Sequence, residues 1–230
     1  GLIDLKRYHN FYINVTRGCP GNCTFCYNAK QWGKDGHSFV RALSAKRQIE
    51  LFKEAIEKYK FKNFSIADDN FITFKPRALE VCNFLEKNYK NHKLHFFCFG
   101  RADYIDDEIL SALRRAGCYI IQMGTESGSQ RILDSLNKRV TVKQNADAIL
   151  CCRRNKLTSD ASFMIGVPGE TMQDLQETKK FIKKYKPDVV DLKIFNPMPG
   201  SIVWDNCIKE GLIKNPETLE EWADWLGKGS

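Results

Sequence analysis

The chain predicts an α/β fold of parallel strands joined by crossover helices. Short runs rich in β-branched and aromatic residues alternate with longer stretches of helical period. The longer stretches open on recognisable helix caps, and polar, glycine-rich clusters recur where strands end.

Six strands are expected, near 11–16 (FYINVT), 63–67 (NFSIA), 94–99 (LHFFCF), 118–123 (CYIIQM), 161–165 (ASFMI) and 189–195 (VVDLKIF). Between the first two, a helix beginning near Ser44 places Ile49, Phe52, Ile56 and Tyr59 on one face, which should lie on the sheet. Pro76 suits the first turn of the next helix. Thr141 with Gln144, and Thr171 with Asp174, each pair an N-cap hydroxyl with a polar side chain three residues on. Six β/α units are two short of an eight-unit barrel, so a three-quarter open barrel and a doubly wound sheet both satisfy the pattern. Either arrangement puts chemistry at the carboxyl ends of the strands. The polar clusters Thr16–Tyr27, Asp68–Asn70, Gly124–Gly128, Gly166–Glu170 and Asn196–Ser201 fall there.

With 230 residues the chain is long enough for a sizeable core. It begins at Gly1 and closes on Gly227-Lys228-Gly229-Ser230, which reads as a piece of a longer protein. The 36 Lys and Arg against 28 Asp and Glu leave a formal charge of +8. Such a balance permits a nucleic-acid partner but does not favour one, because Lys53, Lys58, Lys179 and Lys183 are scattered over helix positions rather than gathered in an arm. No apolar run is long enough to span a bilayer and no signal peptide is recognisable, so a cytoplasmic location is expected. Nine cysteines at irregular spacing do not form the framework of a small secreted domain; they read as thiols or metal ligands in a reducing compartment.

Three of them, Cys19, Cys23 and Cys26, lie within eight residues directly after the first strand, in a loop with two glycines and a proline. Soft thiolates select zinc, copper(I) or iron-sulfur clusters. Zinc would need a fourth ligand, for which His9 and His37 are the candidates, though neither has the close spacing of a zinc loop. A cubane normally takes four cysteines, so three leave one iron open to chelation by a small molecule. Cys82, Cys98, Cys118, Cys151, Cys152 and Cys207 lie among apolar neighbours and read as core.

The spacing of the triad, with Phe25 just before its last cysteine, resembles the CxxxCxΦC signature of the radical S-adenosylmethionine (radical SAM) superfamily. The likeness extends over about residues 10 to 213 through TRGCPGNCTFCY, WGKDGHSFVRALS, FSIADDNF, RADYIDDEILSALRRAGC, MGTESGSQRIL, FMIGVPGET and FNPMPGS. It is similar in particular to the branch that often carries a cobalamin-binding domain, with magnesium-protoporphyrin ester cyclase-like and carbon methyltransferase-like members. The resemblance implies a partial (βα)6 TIM-like barrel, with residues 1–213 as the core and 214–230 as an extension leading into a further domain. It implies a 4Fe-4S cluster on the three cysteines, S-adenosylmethionine as co-substrate, cobalamin held outside this chain, and a reducing partner such as flavodoxin or ferredoxin.

The resemblance also assigns site residues. Phe25 would lie by the adenine. Asp68 or Asp69 would face the methionyl amine, although ADDN stands where many members have a GGE-type motif. Glu126 and Ser127 would reach the ribose or methionyl portion, with a helix N-cap as the alternative for Ser127; Gly166, Val167 and Pro168 would form the adenine turn; and Arg101 would pair with a carboxylate of S-adenosylmethionine or substrate, or else form a structural ion pair. Tyr27, Gln122 and Lys193 are candidates to face the substrate, and Pro197–Ser201 to floor its cavity. Trp204, Trp222 and Trp225 would cover the barrel mouth, meet another domain or simply pack. The implied outcome is cobalamin-assisted methyl transfer or cyclisation. The alternatives are a transfer-RNA methylthiotransferase, which needs a second cysteine triad not visible here, and a non-catalytic iron-sulfur module.

Overall fold

A computed structural model of the chain describes residues 8–28 and 40–227. His37, residues 32–39 of the WGKDGHSFVRALS stretch and the last three residues of the extension lie outside them. All six expected strands form, as β1 (Phe11–Ile13), β4 (Asn63–Ile66), β5 (His95–Gly100), β6 (Cys118–Glu126), β7 (Thr158–Ile165) and β8 (Val189–Ile194). They make one parallel sheet in the order β1-β4-β5-β6-β7-β8. This order decides between the two architectures. A doubly wound sheet reverses its strand order at a switch point. Here each strand is laid beside the previous one, so right-handed crossovers put the helices on one face and the sheet forms an arc of barrel.

Among the described residues the α-helices are α1 (Ala45–Lys53), α2 (Lys75–Tyr89), α3 (Asp107–Ala116), α4 (Gln130–Ser135), α5 (Val142–Arg154), α6 (Met172–Tyr185), α7 (Ile202–Lys209) and α8 (Leu219–Gly227). Ser44 caps α1 by accepting from the Arg47 amide, and α1 runs into a π-helical turn over Glu54–Lys58. Thr141 and Thr171 both form full capping boxes, and Pro76 sits in the first turn of α2.

Strand alternation sorts the two faces. Ile13, Phe64, Ile66, Phe96, Cys98, Ile121, Ala161 and Phe163 enter the core against the helices. The opposite, concave face is lined by two rows in register, Tyr12, Ser65 and Phe97 across β1, β4 and β5, and Phe99, Gln122 and Asp160 across β5, β6 and β7. On that face Gln122 donates to Asp160 at 2.6 Å and Ser162 to Asp191 at 3.3 Å, while Lys193 pairs with Asp191 at 3.0 Å.

Three strand boundaries shift by three residues: β6 runs on past Met123 to Glu126, and the other two shifts have identifiable reasons. β1 stops at Ile13 because the amides of Val15 and Thr16 donate to the Asp68 carboxylate instead of to a neighbouring strand. Thr16–Arg17 (β2) then pairs antiparallel with Arg41–Ala42 (β3), a hairpin-like link the sequence did not announce. β7 begins three residues early, at Thr158, where Ser159 is held through its amide and hydroxyl by Asp188 at 2.9 and 2.7 Å.

Candidate active site

The cysteine triad leaves β1 and β2 at the carboxyl end of the sheet. The loop that carries it is tied down from three directions. Asp68, on the segment following β4, accepts from Val15 and Thr16 at 2.7 and 3.0 Å, and Asp69 accepts from Gly18 at 3.0 Å. From the far side, Leu136 accepts from the Thr24 amide at 2.9 Å and Asn137 donates to Asn22 at 2.7 Å. The start of α7 closes the third side, with the Val203 amide on the Thr24 carbonyl at 3.0 Å. Within the loop, Cys26 donates through its amide to the Cys23 carbonyl at 3.1 Å, and the Gly21 amide lies 3.4 Å from the Cys19 sulfur.

All three thiols are free. Burial pushes the Cys19 thiol above its ordinary range despite the Gly21 amide and the Arg101 charge, which favour thiolate. Burial also pushes Cys26 up to about 11, with Cys23, Cys19 and Asp69 adding to the effect against a backbone hydrogen bond at Asn28. The sulfurs therefore sit within one another's field. Among the described residues, however, no group of three or more His, Cys, Asp or Glu closes around a single metal ion. Of the two histidines weighed as a fourth zinc ligand, His37 lies outside the described residues. His9 precedes β1, at the opposite end of the strand from the triad, where its carbonyl accepts from Asn63.

Two buried cations adjoin the triad. Lys138 is 6% exposed and its ammonium lies 2.7 Å from Glu126, itself 7% exposed. Burial works against the Lys138 charge, but Glu126 and Cys23 outweigh it and raise its pKa. The ammonium also stands 5.9 Å from the Phe25 ring centroid, within cation-π range. Glu126 adopts φ +63° where the β6–β7 register slips, and a non-glycine residue holds that conformation only when its surroundings impose it. The slip turns the carboxylate toward Lys138. Arg101, after β5, is bound by Asp103 at 3.0 and 3.1 Å and donates to the Lys138 carbonyl at 2.9 Å. Its remaining arm is 3.7 Å from the Cys23 sulfur. A cluster held by thiolates carries negative charge, and three thiols beside two buried cations suit it.

The other expected site residues divide into those gathered near the triad and those engaged elsewhere. Val167 is buried with Ile132 and Leu136, and Phe25 packs against the same cluster, so the adenine aromatic and the adenine turn of the sequence reading become neighbours. Gly166 holds φ +83°, a conformation that favours glycine, and its amide donates to Glu170 at 2.6 Å while Pro168 continues the turn. Ser127 is fully buried and faces α6, its hydroxyl 3.0 Å from that of Thr178. Ser129 donates to Asp174 at 2.7 Å, and Arg131 pairs with the same carboxylate, so this loop is fastened to the start of α6. Asp68 and Asp69 spend an oxygen each on the cysteine-loop backbone. Asp68 keeps its second oxygen buried without a protein partner, and burial, stronger than its hydrogen bonds, raises its pKa.

Tyr27 is half exposed at the loop's end. Trp204 is buried and contacts Trp222 and Trp225 at ring distances of 5.8 and 5.1 Å, so the three tryptophans pack α7 against α8. The other six cysteines are buried and free, as core residues should be. Sequence reasoning did not single out Lys138 or Asp103. Asp103 had a visible cue in its i, i+2 spacing from Arg101, but Lys138 sits in an Asn-Lys-Arg run indistinguishable from a solvent-facing turn.

Comparison with known proteins agrees with this geometry. The Radical SAM superfamily model matches residues 13–182. An uncharacterized methyltransferase of Pyrococcus horikoshii is 31% identical over 201 residues, spanning 87% of this chain and 42% of that protein. The anaerobic magnesium-protoporphyrin IX monomethyl ester cyclase of Rubrivivax gelatinosus is 29% identical, spanning 87% and 37%. The chain thus spans less than half the length of these relatives. Among solved structures, the radical S-adenosylmethionine methyltransferase TsrM from Kitasatospora setae, with cobalamin and a [4Fe-4S] cluster bound, superposes with a TM-score of 0.75 at 14% identity, covering 90% of this chain and 38% of that one. The fold, the triad's place at the end of β1 and the family match over most of the chain lead to one assignment: this chain belongs to the radical SAM superfamily.

Proposed function

We propose that the chain is the catalytic core of a radical SAM enzyme of the cobalamin-associated branch, holding a 4Fe-4S cluster on Cys19, Cys23 and Cys26. The observation that carries this reading is a three-thiol loop at the carboxyl end of β1 with two buried cations beside it. When bound, the reduced cluster would supply one electron to the sulfonium of S-adenosylmethionine, breaking a carbon-sulfur bond to give methionine and a 5'-deoxyadenosyl radical.

The protein's own part is to bind, orient and exclude water. Phe25 and Val167 offer an apolar wall suited to the adenine, and the open backbone of Gly166 lies beside it. The Glu126–Lys138 pair offers a carboxylate for hydroxyl or ammonium groups and an ammonium for a carboxylate, so the charged methionyl end can exchange into a pair already formed. The concave face with Phe97, Phe99, Gln122 and Asp160 would receive the substrate.

Methyl transfer or cyclisation is the outcome we favour, by likeness to the methyltransferase and cyclase relatives. Cobalamin would be held by a part of the protein outside this chain, and an external low-potential donor would reduce the cluster. The test is electron paramagnetic resonance of anaerobically reconstituted protein after dithionite reduction, with and without S-adenosylmethionine, followed by assay of 5'-deoxyadenosine. A cubane signal that changes on adding S-adenosylmethionine, with 5'-deoxyadenosine formed, is expected. A cluster indifferent to S-adenosylmethionine and yielding no 5'-deoxyadenosine would leave the non-catalytic module as the better reading.

A further inference from the structure

Arg101 is 7% exposed and its guanidinium is anchored by three hydrogen bonds to two partners. Nε and Nη2 donate to the two Asp103 oxygens, and Nη2 also donates to the Lys138 carbonyl. The guanidinium is planar and rigid, so fixing two of its nitrogens fixes the direction of the third. That third nitrogen, Nη1, points at the Cys23 sulfur at 3.7 Å. The approach depends on Gly21, since a Cβ there would lie 2.5 Å from Nη1. Arg101 thus has its carboxylate partner within the protein and presents its remaining donor to a cysteine of the triad.

We infer that Arg101 sets the reduction potential of the cluster through its contact with Cys23, and that Asp103 is the counter-charge that limits the effect. This rests on the iron-sulfur reading proposed above. Reduction moves one electron from an external reductant onto the oxidised cluster, with no bond made or broken and no proton taken up. The difference between the two states is therefore set by the charges and donors around the sulfurs. A cationic donor at Cys23 favours the more negative, reduced state and raises the potential; an anion behind it works the other way. Arg101 is a positioning residue in this account, acting on the cluster through its ligand.

The experiment is a redox titration followed by electron paramagnetic resonance on reconstituted wild-type, Arg101→Gln and Asp103→Asn proteins. Arg101→Gln should lower the ratio of reduced to oxidised cluster at a fixed potential by about tenfold, a shift of about 59 mV for a one-electron couple. Asp103→Asn keeps the guanidinium, removes its counter-anion and should shift the midpoint upward. A role confined to holding the loop gives no reason for opposite signs, so unmoved midpoints or shifts of the same sign overturn the inference. If Arg101→Gln holds no cluster, Asp103→Asn decides alone, and a midpoint equal to or below wild type overturns it. A wild-type protein that folds but takes up no cluster sinks the iron-sulfur reading and this inference together, whereas a normal cluster with unmoved potentials sinks the inference only.

Discussion

On the helix side of the sheet, Phe52, Phe64, Phe96 and Phe163 are fully buried among aliphatic neighbours. At the carboxyl end of the same strands, the cysteine loop is held by carboxylates, backbone groups, a side-chain amide and a guanidinium, reaching from 51 residues away (Asp69 to Gly18) to 179 (Val203 to Thr24). Apolar burial is non-directional and shared among many contacts, while each polar tie of the loop is a single, directional interaction. Stability and site geometry should therefore be separable. The core can lose a side chain and keep the site's shape, and the loop can lose its chemistry at little cost to the fold.

The largest expected effect tests that separation between two cysteines. Cys26→Ala should prevent normal cluster assembly and abolish 5'-deoxyadenosine formation, while Cys82→Ala, in the core, should leave the cluster spectrum unchanged; normal turnover by the Cys26 variant would sink the assignment of the triad. Next in size, Phe52→Ala should cost about 3–5 kcal/mol in chemical denaturation, the range for a buried phenylalanine cut back to alanine. Below its midpoint it should still bind a cluster with the wild-type spectrum, and a changed spectrum in folded protein would break the comparison. Asp68→Ala comes last because its effect on the cluster is partial: it takes the acceptor from the Val15 and Thr16 amides, at about 1–3 kcal/mol for each one left unpaired. Its signature should be poorer cluster loading out of proportion to its loss of stability. Asp68→Asn keeps an acceptor oxygen and should load more fully than Asp68→Ala; equal loading of the two variants would argue against the tie.

Much of the scaffold was legible in advance because it rests on local rules. The strands, the two capping boxes and the Ser44 cap arise from residues within a few positions of one another. The three-thiol loop was legible too, since its cysteines lie within eight residues of one another. Ion pairing across the site was not. Glu126 stood out by its place after a strand, but its partner Lys138 comes from the far side of α4, and the left-handed backbone that joins them arises from a slip in the β6–β7 register. The sequence reading weighed a small-molecule carboxylate against a structural ion pair for Arg101; the fold supplies an ion pair, with Asp103, and adds the contact with Cys23. Ser127, expected at the site, is engaged with α6 through Thr178.

The sequence by itself determined the alternation of strands and helices, the caps that begin the helices and the three thiols in one loop. Periodicity, capping and ligand spacing act over a few residues, so a linear string carries them. Only the tertiary structure decided between an open barrel arc and a doubly wound sheet, and only it showed which charged side chains meet around the cysteines. Strand order and buried ion pairs are settled by contacts between segments far apart in sequence, where the desolvation of each charge must be offset by a partner that no local pattern names.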